Sequence, residues 1–224
     1  MRIMVFGAAG SIGARIVAEA RSRGHAVTAV VRNQAQFSSL PEGVERRLGD
    51  ATSVEQVAAL SADQDLVISA TRPATGKEPE LVAAAKALLN GVKQSRVRLL
   101  LVGGTASLKV SPTGGRVVDE PGYVPDFLRD IAFACCEQFD ACKADAEANW
   151  TYVSPPALLV AGQRTGRYRV GRDELLFDSD GNSTISIEDF AVALLDEAES
   201  PKHGRSRFTV ASNASGISEK GAQI

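Results

Sequence analysis

Arg2-Ile3-Met4-Val5-Phe6-Gly7-Ala8-Ala9-Gly10-Ser11-Ile12-Gly13 is the stretch that decides the fold. The apolar run from Arg2 to Phe6 reads as a strand. A turn with glycines at 7, 10 and 13 follows, then a helix to about Gly24, then a second strand from Ala26 to Val31 closed by Arg32. Each glycine has its own task in such a turn. Gly7 lets the chain leave the strand sharply, Gly10 keeps side-chain atoms off a pyrophosphate, and Gly13 lets the helix lie close to the strand. The helix offers unpaired N–H groups and the positive end of its dipole to an anion. Between a strand and a helix, the pattern predicts a dinucleotide-binding turn made by Gly7, Ala9, Gly10, Ser11, Ile12 and Gly13.

The end of the second strand refines the ligand. An Asp or Glu there accepts hydrogen bonds from the ribose hydroxyls of NAD. This chain has Val31-Arg32-Asn33 instead. A guanidinium grips a 2′-phosphate in a two-pronged way and stacks on adenine, whereas a carboxylate would repel the phosphate. NADP(H) is therefore expected over NAD(H), with Arg32 as the discriminating residue.

Strand and helix patterns alternate onward. Val44 to Leu48, Asp65 to Ser69 and Val97 to Val102 read as strands three to five. A helix capped by Thr52 or Ser53 runs to about Leu60, and Glu80 to Asn90 form another that Gly91 stops. The loop from Ser111 to Pro125, rich in Pro and Gly, is expected over the carboxyl edge of the sheet. Asp126 to Asn149 read as a long helix and Trp150 to Ser154 as a sixth strand closed by Pro155-Pro156. Beyond it, Tyr168 to Val170 and Leu175 to Phe177 suggest a small β element around Gly171-Arg172. Ile185 to Ile187 read as a short strand, Glu188 to Ser200 as a helix, and Arg207 to Val210 as a last strand. The prediction is α/β: a Rossmann-type, doubly wound parallel sheet in a single domain over 1–211. Substrate-side elements are expected mainly at 105–125 and 155–190, and 212–224 as a flexible tail.

Composition sets outer limits. With 224 residues, 44% hydrophobic and 23% charged, the chain can bury one substantial core. A net charge of −2 gives no general attraction to nucleic acid or anionic membrane, and neither is expected as a partner. No apolar run approaches the ~20 residues that span a bilayer. The first residues enter a strand directly, so no signal peptide is expected. Cys135, Cys136 and Cys142 cluster in one helical segment with no His nearby. They read as apolar filler in a cytoplasmic protein, not as disulfides or metal ligands, and no metal site is expected.

Further segments carry a family likeness: Gly49-Asp50, Ser69-Ala70-Thr71, Gly103-Gly104, Trp150-Thr151-Tyr152-Val153-Ser154-Pro155-Pro156, Ile187-Glu188-Asp189-Phe190-Ala191 and Arg207-Phe208-Thr209-Val210. With the glycine turn and Val31-Arg32-Asn33, they resemble the atypical short-chain dehydrogenase/reductase superfamily over roughly residues 1 to 211. The likeness is to its NADH-flavin reductase branch, near biliverdin reductase B and NmrA-like proteins. It implies that Asp50, with Ala51 beside it, meets the adenine amino group. It implies that Ala70, Thr71 and Arg72 flank ribose and pyrophosphate, that Gly103 joins the cofactor set, and that Ser154, Pro155 and Pro156 border the nicotinamide.

The departures from that family are informative. Most of the superfamily carries Tyr-x-x-x-Lys, but here Tyr123, Tyr152 and Tyr168 are followed four residues later by Phe127, Pro156 and Arg172. Phe139 has a lysine at that spacing and lacks the hydroxyl. Biliverdin reductase B-like enzymes follow the paired prolines with His, and this chain has Ala157. Carbinol oxidation lacks its usual acid, and biliverdin is a doubtful substrate. Hydride transfer to a flavin or quinone asks mainly that two rings be held face to face. Thr105, Ser107 and Tyr123 are the candidate catalytic-side residues, the first two as hydrogen-bonding hydroxyls and the third as a stacking ring.

The expected function is an NADPH-dependent reductase of a free flavin (FMN or FAD as substrate), quinone or similar planar small molecule, acting as monomer or homodimer. The alternatives are a non-catalytic NADP(H) redox sensor of the NmrA type and, third, a sugar-nucleotide epimerase or dehydratase.

Overall fold

The first strand, β1 (Arg2–Phe6), is buried from Ile3 onward, and its residues divide between two faces. Ile3 and Val5 join one apolar cluster, Met4 and Phe6 the other, as the two-residue period of a strand requires. The helix α1 (Ser11–Ser22) follows and ends at Gly24, whose φ of 79° closes the turn into β2 (Ala26–Val31). β3 (Glu45–Leu48) is exposed along its length. Charged side chains on an edge strand discourage pairing with other chains.

The computed structural model describes residues 1–213. After β3 come α2 (Val54–Ser61), β4 (Leu66–Ser69), α3 (Pro79–Ser95), β5 (Arg98–Val102), α4 (Arg129–Ala144) and β6 (Trp150–Ser154). The last third holds β7 (Leu158–Val160), β8 (Tyr168–Gly171), β9 (Thr184–Ser186), α5 (Ile187–Glu199) and β10 (Ser206–Ser212). The main sheet runs β3-β2-β1-β4-β5-β6-β10-β8. Every neighbouring pair is parallel except β10 with β8. Helices α1 and α5 cover one face through Ile16, Val17, Phe190 and Leu194. Helices α2, α3 and α4 cover the other through Val57, Leu88, Val92, Phe139 and Cys142. This is the Rossmann-like α/β architecture, its direction of winding reversing between β1 and β4.

Several expectations need correction. Gly91 does not stop α3; it sits inside the helix because a Cβ there would lie 2.5 Å from the Val57 side chain of α2. The stop is Arg96, left-handed at φ 59°. The long helix begins at Arg129, after a short 3-10 turn at Asp126–Leu128, and ends at Ala144 rather than Asn149. There Asp145 turns extended and its carboxylate accepts from the N–H groups of Glu147 and Ala148. Leu175 to Phe177 form no strand; β8 pairs with β10 instead of folding into a local hairpin. The strand expected at Ile185 to Ile187 is β9, and α5 already begins at Ile187. β9 pairs with β7, an element that the residues after Pro155-Pro156 gave no reason to expect. The last strand runs on through Ser212, so the expected tail begins too early, and its residues 214–224 lie outside the described part.

Candidate functional site

The strand order brings Gly7, Ala70, Gly103 and Ser154 to successive strand ends along one edge of the sheet. The reversal between β1 and β4 opens a crevice at that edge, the usual ligand position in such sheets. A cleft lies there, walled by Gly7, Ala9, Gly10, Arg32, Asp50, Ala51, Ala70, Thr71 and Arg72. All nine are residues that the sequence placed at a cofactor. Gln36, Thr52, Pro73, Glu80, Leu81 and Ala84 also line it and were not foreseen from the sequence. Glu80 carried a signal only as an acid in the first turn of a helix behind Pro79, which places a helix start and not a cleft wall.

The glycine turn is built as its spacing demands. Gly7 has φ 76°, and a Cβ there would meet the Ala70 carbonyl oxygen at 2.5 Å. A Cβ on Gly13 would lie 2.1 Å from the Gly7 carbonyl oxygen. At Gly10 the only contact would be that same oxygen at 3.3 Å, so a side chain there would project into open cleft. Gly10 is the N-cap of α1 and supplies no side-chain cap, and the first turn carries no acid. The first helical bond runs from Ala14 N–H to the Gly10 carbonyl, so the amides of Ser11, Ile12 and Gly13 precede it. An uncapped helix start with room in front of it suits a pyrophosphate.

The far wall is ionic. Arg32 Nη1 donates to Glu80 Oε2 at 3.2 Å, and Lys77 Nζ stands 3.6 Å from Glu80 Oε1. Asp50 Oδ1 accepts from the Thr52 N–H at 2.9 Å and the Thr52 hydroxyl at 2.8 Å. The Thr52 N–H, with its hydroxyl and the nearby Arg32 charge, holds the Asp50 carboxyl below its usual range against the opposing pull of burial. Asp50 thus stays an acceptor near neutral pH. Glycine cradle, uncapped helix, carboxylate acceptor and arginine together fit a dinucleotide.

The rest of the edge is more closed. Thr105 Oγ1 donates toward the Pro156 carbonyl at 2.7 Å and the Pro155 carbonyl at 3.1 Å, which ties the β5 loop to the end of β6. Ser107 is buried and its Oγ accepts from Arg207 Nη1 at 2.8 Å; Arg207 also pairs with Asp173 at 2.6 Å and lies over the Phe139 ring. Ser107 therefore belongs to an interior network, away from the rim. Tyr123 is 44% exposed in the 111–125 loop. Gly103 faces the Tyr152 ring, which a Cβ would overlap at 1.9 Å, and Gly104 N–H donates to Tyr152 Oη. Burial pushes the Tyr152 phenol well above its ordinary value, and burial pushes the neighbouring Cys135 thiol up to about 12. Neither ionises near neutral pH. Ser154 is fully buried, with an unpartnered hydroxyl.

A family model described as NAD(P)H-binding matches residues 7–198. A Burkholderia pseudomallei protein proposed to be exported is 39% identical, with 94% of this chain and 99% of that one covered and a TM-score of 0.85. A Bacteroides thetaiotaomicron protein proposed to be an epimerase is 36% identical over 96% and 98% of the two chains, with a TM-score of 0.87. A Streptococcus pneumoniae protein proposed to be an NADH-flavin reductase is 28% identical over 95% and 100%, with a TM-score of 0.85. No helix among the described residues is long and apolar enough to cross a membrane. With the family match spanning most of the chain and the glycine cradle standing where a dinucleotide needs it, the protein belongs to the NAD(P)H-binding family.

Proposed function

We propose that the chain is an NADPH-dependent reductase that delivers hydride to a free flavin, quinone or similar planar acceptor. The observation that carries this reading is the Arg32 guanidinium on the wall of the same cleft as Gly10 and Asp50, where an NAD-selective site would carry an acid. Bound nicotinamide dinucleotide supplies the hydride. The chain's own groups bind and orient. The α1 amides hold the pyrophosphate, Arg32 holds the 2′-phosphate, and Asp50 accepts from the adenine amino group. Thr105 donates its hydroxyl hydrogen bond to the proline carbonyls, so its lone pairs remain for the N–H of the nicotinamide amide. Ser154-Pro155-Pro156 wall the ring, and Tyr123 offers a stacking surface for the acceptor.

The chemistry asks little else of the protein. A flavin or quinone takes hydride at its own electrophilic atom, and solvent supplies the proton. The engaged Thr105 proton and the buried, high-pKa Tyr152 phenol suit such a reaction better than one needing a protein acid. For that reason the epimerase proposal attached to the Bacteroides relative fits less well. The flavin reductase proposal attached to the Streptococcus relative points to the same acceptor class, while the preference for NADPH rests on Arg32. The test is NADPH oxidation followed by absorbance with FMN, riboflavin and a soluble naphthoquinone. Turnover with at least one is expected; tight NADPH binding with no turnover on any would overturn the reading.

A further inference from the structure

Arg32 already has an anionic partner. Its Nη1 is already 3.2 Å from Glu80 Oε2, and Glu80 lines the cleft beside it. Lys77, 65% exposed, is the second cation on that carboxylate. Asp50 lies on the same wall and feels the Arg32 charge. Glu80 and Asp50 thus offset part of the positive charge that Arg32, Lys77 and Arg72 bring to this end of the cleft before a nucleotide arrives. A 2′-phosphate would bring up to two further negative charges into that balance.

We infer that Glu80 sets coenzyme choice by opposing the 2′-phosphate that Arg32 attracts. This rests on the assignment of Arg32 to the 2′-phosphate. Glu80 is well placed for the task. It stands in the first turn of α3, where the helix dipole favours a carboxylate, and Pro79 fixes the start of that turn. A 2′-phosphate on Arg32 either shares the guanidinium with Glu80 or leaves Glu80 to Lys77, and in both cases it lies close to the Glu80 carboxylate. A ribose with a free 2′-hydroxyl meets no such opposition, and the hydroxyl can donate to the carboxylate. The pair therefore moderates the preference for NADPH, and the site accepts both coenzymes to a degree that the Glu80 charge controls.

Titration calorimetry of the full chain with adenosine 2′,5′-bisphosphate and with 5′-AMP isolates the 2′-phosphate. Glu80→Gln keeps the size and hydrogen-bonding capacity and removes the charge. It should bind the bisphosphate about threefold to tenfold tighter, the scale Coulomb's law gives exposed charges a few ångströms apart in a watery setting. Binding of 5′-AMP should change by less than about twofold, since no dianion faces Glu80 in that complex. The gain should shrink as salt is raised. Unchanged or weaker bisphosphate binding would overturn the role of Glu80. Arg32→Ala separates the two levels of the argument. If it weakens both nucleotides alike, the 2′-phosphate assignment itself fails; if it weakens only the bisphosphate while Glu80→Gln has no effect, only the inference about Glu80 fails.

Discussion

A side chain at residue 10 would stand in front of the α1 amides, and there it would cost binding without costing the fold. Gly10→Val has no backbone neighbour closer than 3.3 Å, so it should leave the unfolding midpoint nearly unchanged and weaken NADPH and NADH together by at least tenfold in direct titration. Gly7→Ala behaves differently. Its φ of 76° and the Ala70 oxygen 2.5 Å from the new methyl place the strain in the backbone, with an expected loss of about 1–3 kcal/mol or more in denaturant unfolding. Arg32→Ala should weaken NADPH by ~1.5–3 kcal/mol, the size of a charge-assisted hydrogen bond, and barely alter NADH. The glycines of the turn after β1 were legible in the sequence, because only glycine satisfies such geometry. Glu80 was not, since it reaches the cleft from a helix 48 residues beyond Arg32 and only the fold brings the two together. Ser107, expected as a hydrogen-bonding hydroxyl on the catalytic side, is buried and bonded by Arg207, a partner 100 residues away that local sequence could not indicate.

Among the elements, α5 is the best anchored at its start. Ser186 Oγ accepts from the Asp189 N–H at 3.0 Å, and the buried Asp189 carboxylate in turn accepts from the N–H groups of Thr165 and Gly166 and from the Thr165 hydroxyl. One turn of helix thereby pins the 161–167 segment that follows β7. Glu188 adds a bond from Gly162 N–H and pairs with Arg15 of α1. Asp189→Ala leaves two backbone donors without their acceptor, each costing about 1–3 kcal/mol if it stays buried. It should show as faster protease cleavage within 161–167 before any global unfolding. The helices with clear caps, such as α2 behind Ser53, were readable. Gly91 misled because a glycine that admits a neighbouring helix looks in sequence like one that ends its own. The strands after β6 are short and draw their partners from far along the chain, so local pattern held little information about them.

At the scale of the whole molecule, two buried carboxylates tie distant parts together. Glu19 of α1 pairs with Arg23 and with Arg164 of the pinned segment, and the Arg164 hydrogen bond is the main cause of its lowered pKa. Glu197 of α5 is buried, which alone would raise its carboxyl; bonds from the His203 ring and from the N–H groups of His203 and Lys202 bring it below the ordinary 4.5. A carboxyl lowered in the folded state contributes stability that is complete above its unfolded pKa and is lost as pH falls through the folded value. Unfolding midpoints should therefore decline as pH drops below about 4.5, and Glu197→Gln should lower the neutral-pH midpoint while flattening that acid decline. The doubly wound, parallel arrangement of the first six strands followed from the alternating pattern. The seventh and eighth positions, taken by β10 and β8, did not, since β8 draws its partner from some forty residues further along the chain.

That eighth strand has a consequence for how the molecule tolerates editing. β8 runs antiparallel along β10 from Tyr168↔Ser212 to Gly171↔Thr209, so the segment proposed for the acceptor side also covers the β10 edge and takes its place as the sheet's border. Grafting a foreign loop in its place to change substrate would bare a row of unpaired amides and carbonyls on β10. Such a chimera would be inclined to polymerise border to border unless the replacement brought a strand of its own.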